Sequence, residues 1–280
     1  IANNSTLVFN QATDATFAAV ISGTGSLTKS GAGNLTLSGT NTYSGGTSIT
    51  AGTLQIGAAG TSGSIDVQAG TGSITQSATS VFLSTGASAT ARLLAATSVT
   101  VGDIELSLGQ VSITATAGAI LDADADSSTN DTDQDITASA LRLNAGTGIA
   151  GSVNHLETTV VTLSARAGNG SIYVLEADAL IVGDVGLSVN RVVSNATTET
   201  GSSTDAVQSD IRTTGGNGHI VLRTTAGSIT LNNGTAPSDD TAVSADGTGN
   251  ILIQALGADT DITANADITS GDLYPNFPGN

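Results

Sequence analysis

The chain has no cysteine, no methionine and no tryptophan, and only three tyrosines, four phenylalanines and three prolines. Without cysteine there is no disulfide, no thiolate metal site and no cysteine nucleophile. Aromatics make up 2% of the residues against a hydrophobic content of 39%. The interior must therefore be built from Val, Ile, Leu and Ala, with Thr at its margin, which suits a thin, repetitive core better than a globular one. Basic side chains are also scarce: seven Lys and Arg stand against 24 Asp and Glu, for a net charge of −17. Nucleic-acid binding requires the opposite sign, and an anionic membrane surface would repel such a chain. No apolar run approaches the length of a membrane-spanning helix. Ten-residue amphipathic strands with aromatic girdles, which a membrane barrel needs, are lacking too, so this segment is expected not to insert into a membrane. No basic-then-apolar leader opens the sequence at Ile1, which starts inside the pattern described next, as a processed product or an excised segment would.

What the chain has in quantity is glycine, 35 residues, placed between short alternating strands. The stretch Gly23 to Gly57, GTGSLTKSGAGNLTLSGTNTYSGGTSITAGTLQIG, repeats one unit several times: a Gly-containing turn, then a strand with one apolar face. Leu27-Thr28, Leu35-Thr36-Leu37, Ile49-Thr50 and Leu54-Gln55-Ile56 have the period of two that marks a half-buried strand. A marker of Gly, a small or polar residue, then Ile or Leu recurs at Leu27, Leu35, Leu54, Ile74, Ile120, Ile172, Ile220, Ile229 and Ile251. The intervals are 8, 19, 20, 46, 52, 48, 9 and 22 residues, so most read as one or two units of about twenty residues, with the short ones as two strands of one coil.

Self-similarity at this spacing, with no helical periodicity between strands, predicts an all-β solenoid, a right-handed parallel β-helix forming a single elongated rod over residues 1–271. A β-sandwich is the rival arrangement of short, regularly spaced strands, but it usually anchors its core with the aromatics that are scarce here. With roughly 20 residues per coil and ~4.8 Å per level, the rod would have about 14 coils and measure ~65 Å.

Residues 23–57 resemble the autotransporter-associated β-strand repeat, also called the passenger-associated transport repeat, through the run LTKSGAGNLTLSGTNTYSGGTSITAGTLQIG. Residues 72–271 more loosely resemble the repeats of filamentous-haemagglutinin-like giant surface proteins of Gram-negative bacteria, through TAGAILDADADS, LRLNAGTGIAG, SARAGNGSIYVLEADALIVGDV and GTGNILIQALGADTDITANADITSG. These resemblances imply secretion to the cell surface or beyond, a β-helical rod, and roles as stalk, adhesin or fibre. The transport repeat is associated in its family with export of the passenger.

Among chemically suggestive residues, the densest group is the loop insertion 122–135, DADADSSTNDTDQD. Asp122, Asp124, Asp126, Asn130 and Asp133 occupy positions one, three, five, nine and twelve of a calcium-loop-like spacing, and hard carboxylate oxygens at alternate positions suit Ca²⁺. Ser127 stands where the tight-turn glycine would be, and Asp133 where a bidentate Glu would be, so a solvated acidic loop is the competing reading. No other cofactor is required. His155 and His219 are too far apart in sequence to suggest a pair; His219 is expected outward or capping a turn, and His155 lies in a loop-like stretch.

Three functional classes remain. The first is structural surface material, a segment or subunit of a fibre or stalk. In it, coils stack on neighbouring repeats of a longer chain or head to tail on another copy, with Leu7 and Phe9 at one end meeting Tyr274 and Phe277 at the other. The tail 272–280 breaks the strand pattern with Pro275 and Pro278 and reads as a linker or docking segment. The second is an adhesin binding a glycan or cell-surface receptor, which asks for a localised basic or aromatic patch; Lys29, Arg92, Arg142, Arg166, Arg191, Arg212 and Arg223 are scattered along the sequence, which favours scaffolding. The third is a β-helical polysaccharide lyase or hydrolase, for which Asp103, Glu105, Glu176 and Asp178 are the strand carboxylates. Outward-facing charges that keep the rod soluble are the simpler explanation of these four, and the chain is expected not to be an enzyme.

Overall fold

The computed structural model describes residues 1–39, 41–43, 47–56, 64–84, 89–124, 133–192 and 198–271. The chain winds as a parallel β-helix with three strand-bearing faces. The first coil shows the plan: Thr6–Phe9 lies on the first face, Ala15–Phe17 on the second and Ser22–Gly23 on the third. Twenty residues later Ser26–Lys29 lies directly on Thr6–Phe9, with Leu7 opposite Leu27 and Phe9 opposite Lys29. Every backbone N–H and C=O that would face solvent in a lone strand is thus met by the coil above or below.

Alternation decides which side chains enter the core. On the first face Ile74, Val99, Ile120, Ile149, Ile172 and Ile220 stack one upon another, each at most 1% exposed. The third face carries a second column, Val67, Leu93, Ile113, Leu143, Ala165, Ile211 and Val243. Beside it run five alanines, Ala69, Ala95, Ala115, Ala145 and Ala167, all buried. Alanine there keeps the interior narrow where the chain turns a corner. The marker glycine is explained by the same stacking: a Cβ on Gly25 would overlap the carbonyl oxygen of Ser5 in the coil beneath.

The first-face column has ten levels among the described residues, from Thr6–Phe9 to Ile251–Gln254, so the rod measures roughly 43 Å at ~4.8 Å per level. This is shorter than the sequence spacing predicts, and the reason is specific. Ile172 pairs directly with Ile220, so the 48-residue interval between them is one coil. The extra length is an antiparallel hairpin, Val185–Val192 with Thr198–Gln208, that leaves the solenoid. The intervals of 46 and 52 residues are two coils each, with Val99 and Ile149 supplying the intermediate levels.

Leu7 and Phe9 are partly buried in the first coil, and Phe9 meets Phe17 edge to face at 5.5 Å between ring centres. Tyr274 and Phe277 lie outside the described residues. At the other end Ile262 and Ile268 are 45% and 44% exposed, whereas Ile229 and Val243, which they stack on, are fully buried.

Truncating a residue enclosed by coils on both sides removes contacts that cannot re-form. Ile113→Ala should lower unfolding free energy by about 2–5 kcal/mol, while Val161→Ala, at a 56% exposed position, should change it by less than about 0.5 kcal/mol. Denaturant unfolding of the two variants checks this.

Candidate functional site

Polar groups inside so thin a core need partners, and three stand in one inward column of the first face: Lys29, Gln76 and Asp122. Lys29 is fully buried, and its Nζ donates to the carbonyl oxygens of Gly31 and of Ala51, the latter at 3.1 Å in the next coil. Burial pulls its ammonium below the ordinary lysine value. Gly31 is obligatory here, because a Cβ on it would overlap the backbone of Gln11. Gln76, 1% exposed, does the same job with its amide: Nε2 donates to Ser80 O at 2.7 Å and to Asp103 O at 2.5 Å. Both side chains cap turn carbonyls of two successive coils from within. Tyr43 contributes another internal polar contact, its hydroxyl 2.6 Å from Thr47 Oγ1, with burial pushing the phenol up to about 12.

Asp122 reverses the chemistry of that column, since it brings an acceptor where Lys29 and Gln76 bring donors. Its Oδ1 accepts the N–H of Asp124 at 3.1 Å; its Oδ2 is enclosed and receives no hydrogen bond. Oxygens of Asp122, Asp124 and Asp135 all lie within 4.8 Å of one another. Asp135 is 5% exposed and accepts the Glu157 N–H at 2.8 Å. Burial, then the Asp122 carboxylate beside it, pushes Asp135 well above the ordinary carboxylate range. Asp103 nearby is raised to about 6, by burial first and then by Asp133, Glu105 and Asp124. The acidic insertion therefore converges at its base. Asp122 and Asp124 come together as the calcium reading expects, but the third carboxylate is Asp135, which that spacing leaves out. Asp133 is not in the converging group, and Asp126 and Asn130 lie outside the described residues.

The scattered basic residues are in fact gathered. Arg92, Ser112, Arg142 and Ser164 form one outward column of the third face, and Arg166 and Arg212 stack in the next column. They fasten the hairpin to the rod. Asp205 on the hairpin accepts Arg92 Nε at 2.8 Å and Ser112 Oγ at 2.6 Å, while Arg92 also holds Asp66 at 3.0 Å. Arg142 Nε donates to Ala206 O at 3.2 Å, and Gln208 Nε2 donates to Leu143 O at 2.9 Å. Arg212 pairs with Asp239 at 2.9 Å, and Arg166 donates to Ala236 O at 2.5 Å, pinning the loop beside Pro237. A shallow pocket of about 310 Å³ opens beside the hairpin, lined in part by Asp184, Ser188, Thr204, Asp205 and Thr235. Sequence spacing hides this face because its members are tens of residues apart.

The histidines differ from each other. His219 caps a turn as expected, its Nδ1 accepting the Asn250 N–H at 2.9 Å. His155 is 7% exposed and stacks on Tyr173 with ring centres 5.6 Å apart, and burial lowers it.

Glu176 overturns the expectation of an outward, solubilising charge. It is fully buried, accepting Thr158 Oγ1 at 2.7 Å and the Val160 N–H at 3.0 and 3.2 Å. Burial raises it to about 8, against the opposing effect of those hydrogen bonds. Folded chains then hold a proton on Glu176 that unfolded chains have lost, between the ordinary glutamate value and about pH 8. Its contribution is fully present below that ordinary value and is lost as pH rises through the window. In chelator, the melting temperature should fall from pH 5 to pH 8, and Glu176→Gln should flatten that slope; a wild-type slope retained by the variant would contradict the assignment.

No curated protein and no solved structure matches the chain. One stretch does match a family model, and it contains the Lys29 cap, the Tyr43–Thr47 contact and the buried leucines Leu35, Leu37 and Leu54: residues 27–56 are a passenger-associated-transport-repeat.

Proposed function

We propose that the chain is a stalk or fibre segment of an exported bacterial surface protein, and that its work is mechanical: to extend a rod whose coils stack on further coils. The observation that carries this reading is the passenger-associated-transport-repeat at residues 27–56, built into the rod as ordinary coils of the same three-faced solenoid. A repeat of passenger type places the chain among proteins delivered to the cell surface. The looser resemblance of residues 72–271 to filamentous-haemagglutinin-like repeats agrees with a long surface rod. Stacking is supported by Ile262 and Ile268, which are exposed at the last described level although the equivalent positions one level back are fully covered. The neighbour is another coil, either of a longer chain or of a second copy meeting the Leu7 and Phe9 end.

A second reading, an adhesin for a glycan or cell-surface receptor, draws on a stripe of outward residues on the first face. Tyr173, Val221 and Leu252 stack in register, with Leu252 48% exposed and Leu121 41% exposed two levels before Tyr173. The lyase or hydrolase reading loses one of its carboxylates, since Glu176 is enclosed and bonded to the rod's own backbone.

Surface display tests the passenger reading. With an export signal and a membrane barrel appended, the chain should reach the surface of Gram-negative cells in protease-accessible form. Deleting residues 27–56 should lower the displayed amount several-fold with total synthesis unchanged. Equal display with and without the segment would count against the proposal, and binding of the intact chain to glycans or cells that is lost in Tyr173→Ser would favour the adhesin.

A further inference from the structure

We propose that Asp122, Asp124 and Asp135 hold a calcium ion inside the rod wall, at the base of the acidic insertion. Three separate features of the structure point to a cation there.

The first is geometric. Calcium binds carboxylate oxygens at about 2.3–2.6 Å, so two oxygens on one ion lie no more than about 5 Å apart. The oxygens of Asp122, Asp124 and Asp135 meet that condition, all lying within 4.8 Å of one another.

The second is an unmet need. Asp135 is 5% exposed and has one N–H, from Glu157, for its two oxygens. Asp122 Oδ2 is enclosed and accepts nothing. Asn154 adds a neutral oxygen in the same state: its Nδ2 is anchored on the carbonyl of Asp124 at 3.0 Å, and its Oδ1 is enclosed without a hydrogen bond. Buried oxygens without donors are costly, and buried carboxylates are ordinarily paired or bound to a metal.

The third comes from the column itself. At this inward position one earlier coil places the ammonium of Lys29 and another the amide of Gln76, each donating to turn carbonyls of two coils. The coil of Asp122 supplies a carboxylate instead, so the positive end of the interaction has to come from outside the chain. A calcium ion replaces Lys29 Nζ in function: it neutralises acceptors and ties neighbouring turns. It would also fix both ends of the insertion to the rod, since Asp122 and Asp124 precede it and Asp135 follows it.

Calcium chloride added to the chelated full-length chain should raise its melting temperature and titrate calorimetrically as a single site, with a Kd in the ~10⁻⁴–10⁻³ M range of extracellular modules. Two variants keep the test independent of folding defects. Asp122→Gln copies Gln76 and supplies the missing donor, and Asp135→Asn removes the most deeply buried charge. Both should melt at or above the wild-type temperature in chelator, and both should lose the calcium response. The proposal is overturned if calcium leaves the wild type unchanged, as a proton shared between Asp122 and Asp135 would, or if both variants keep the full response. An equal rise with magnesium chloride also overturns it, because magnesium gives up its waters too reluctantly for a site of this kind.

Discussion

Coil-on-coil hydrogen bonding in strict parallel register is the constraint on which everything else in this molecule depends. Once each strand must find its partners one level up and one level down, every position in a coil acquires a column of neighbours with the same facing. Inward columns then have to be filled by residues of compatible size, as with the isoleucines from Ile74 to Ile220 and the alanines from Ala69 to Ala167. Positions where one turn lies against another exclude a side chain, which makes Gly25 part of the architecture and not merely a flexible joint. A chain of this kind can dispense with tryptophan and with disulfides, because its core is made level by level and does not depend on a few large anchors.

The same constraint determines where charge can go. A polar side chain on an inward column cannot escape to solvent and must be matched within the wall. Lys29 and Gln76 are matched to carbonyls, Glu176 to Thr158 Oγ1 and the Val160 N–H, and Asp122 has no such match. On the outward side, arginines separated by tens of residues become neighbours and act together. Arg92 and Arg142 fasten the hairpin, with Asp205 joined to a strand 113 residues earlier in the chain. In so acidic a protein, four of the seven basic residues serve to attach elements that leave the solenoid.

The solenoid was legible in the sequence because its two signals, period-two alternation and the marker glycine, are local. The hairpin was not, since Val185–Val192 and Thr198–Gln208 alternate as coil strands do, and alternation carries no information on whether a partner runs parallel or antiparallel. Counting their interval as two coils made the rod too long. The base of the acidic insertion was half legible. Asp122 and Asp124 stand out by spacing, but Asp135 joins them only because the coil brings the two ends of the insertion together. Glu176 was misread for a related reason: the alternation of YVLEADAL does not show that a corner of the chain encloses it.

The account rests most heavily on the stacking of Ile172–Glu176 directly upon Ile220–Thr224 across 48 residues. The absence of native cysteine makes this simple to test by engineered disulfide, which needs Cα atoms about 4.4–6.8 Å apart. The double variant Tyr173→Cys, Val221→Cys should close a bridge under mild oxidation, since these residues are adjacent-level partners. Leu121→Cys with Tyr173→Cys, two levels apart, should not. A bridge in the first pair alone is the predicted result. Failure of the first pair to bridge would contradict the single-coil stacking and, with it, the ten-level rod.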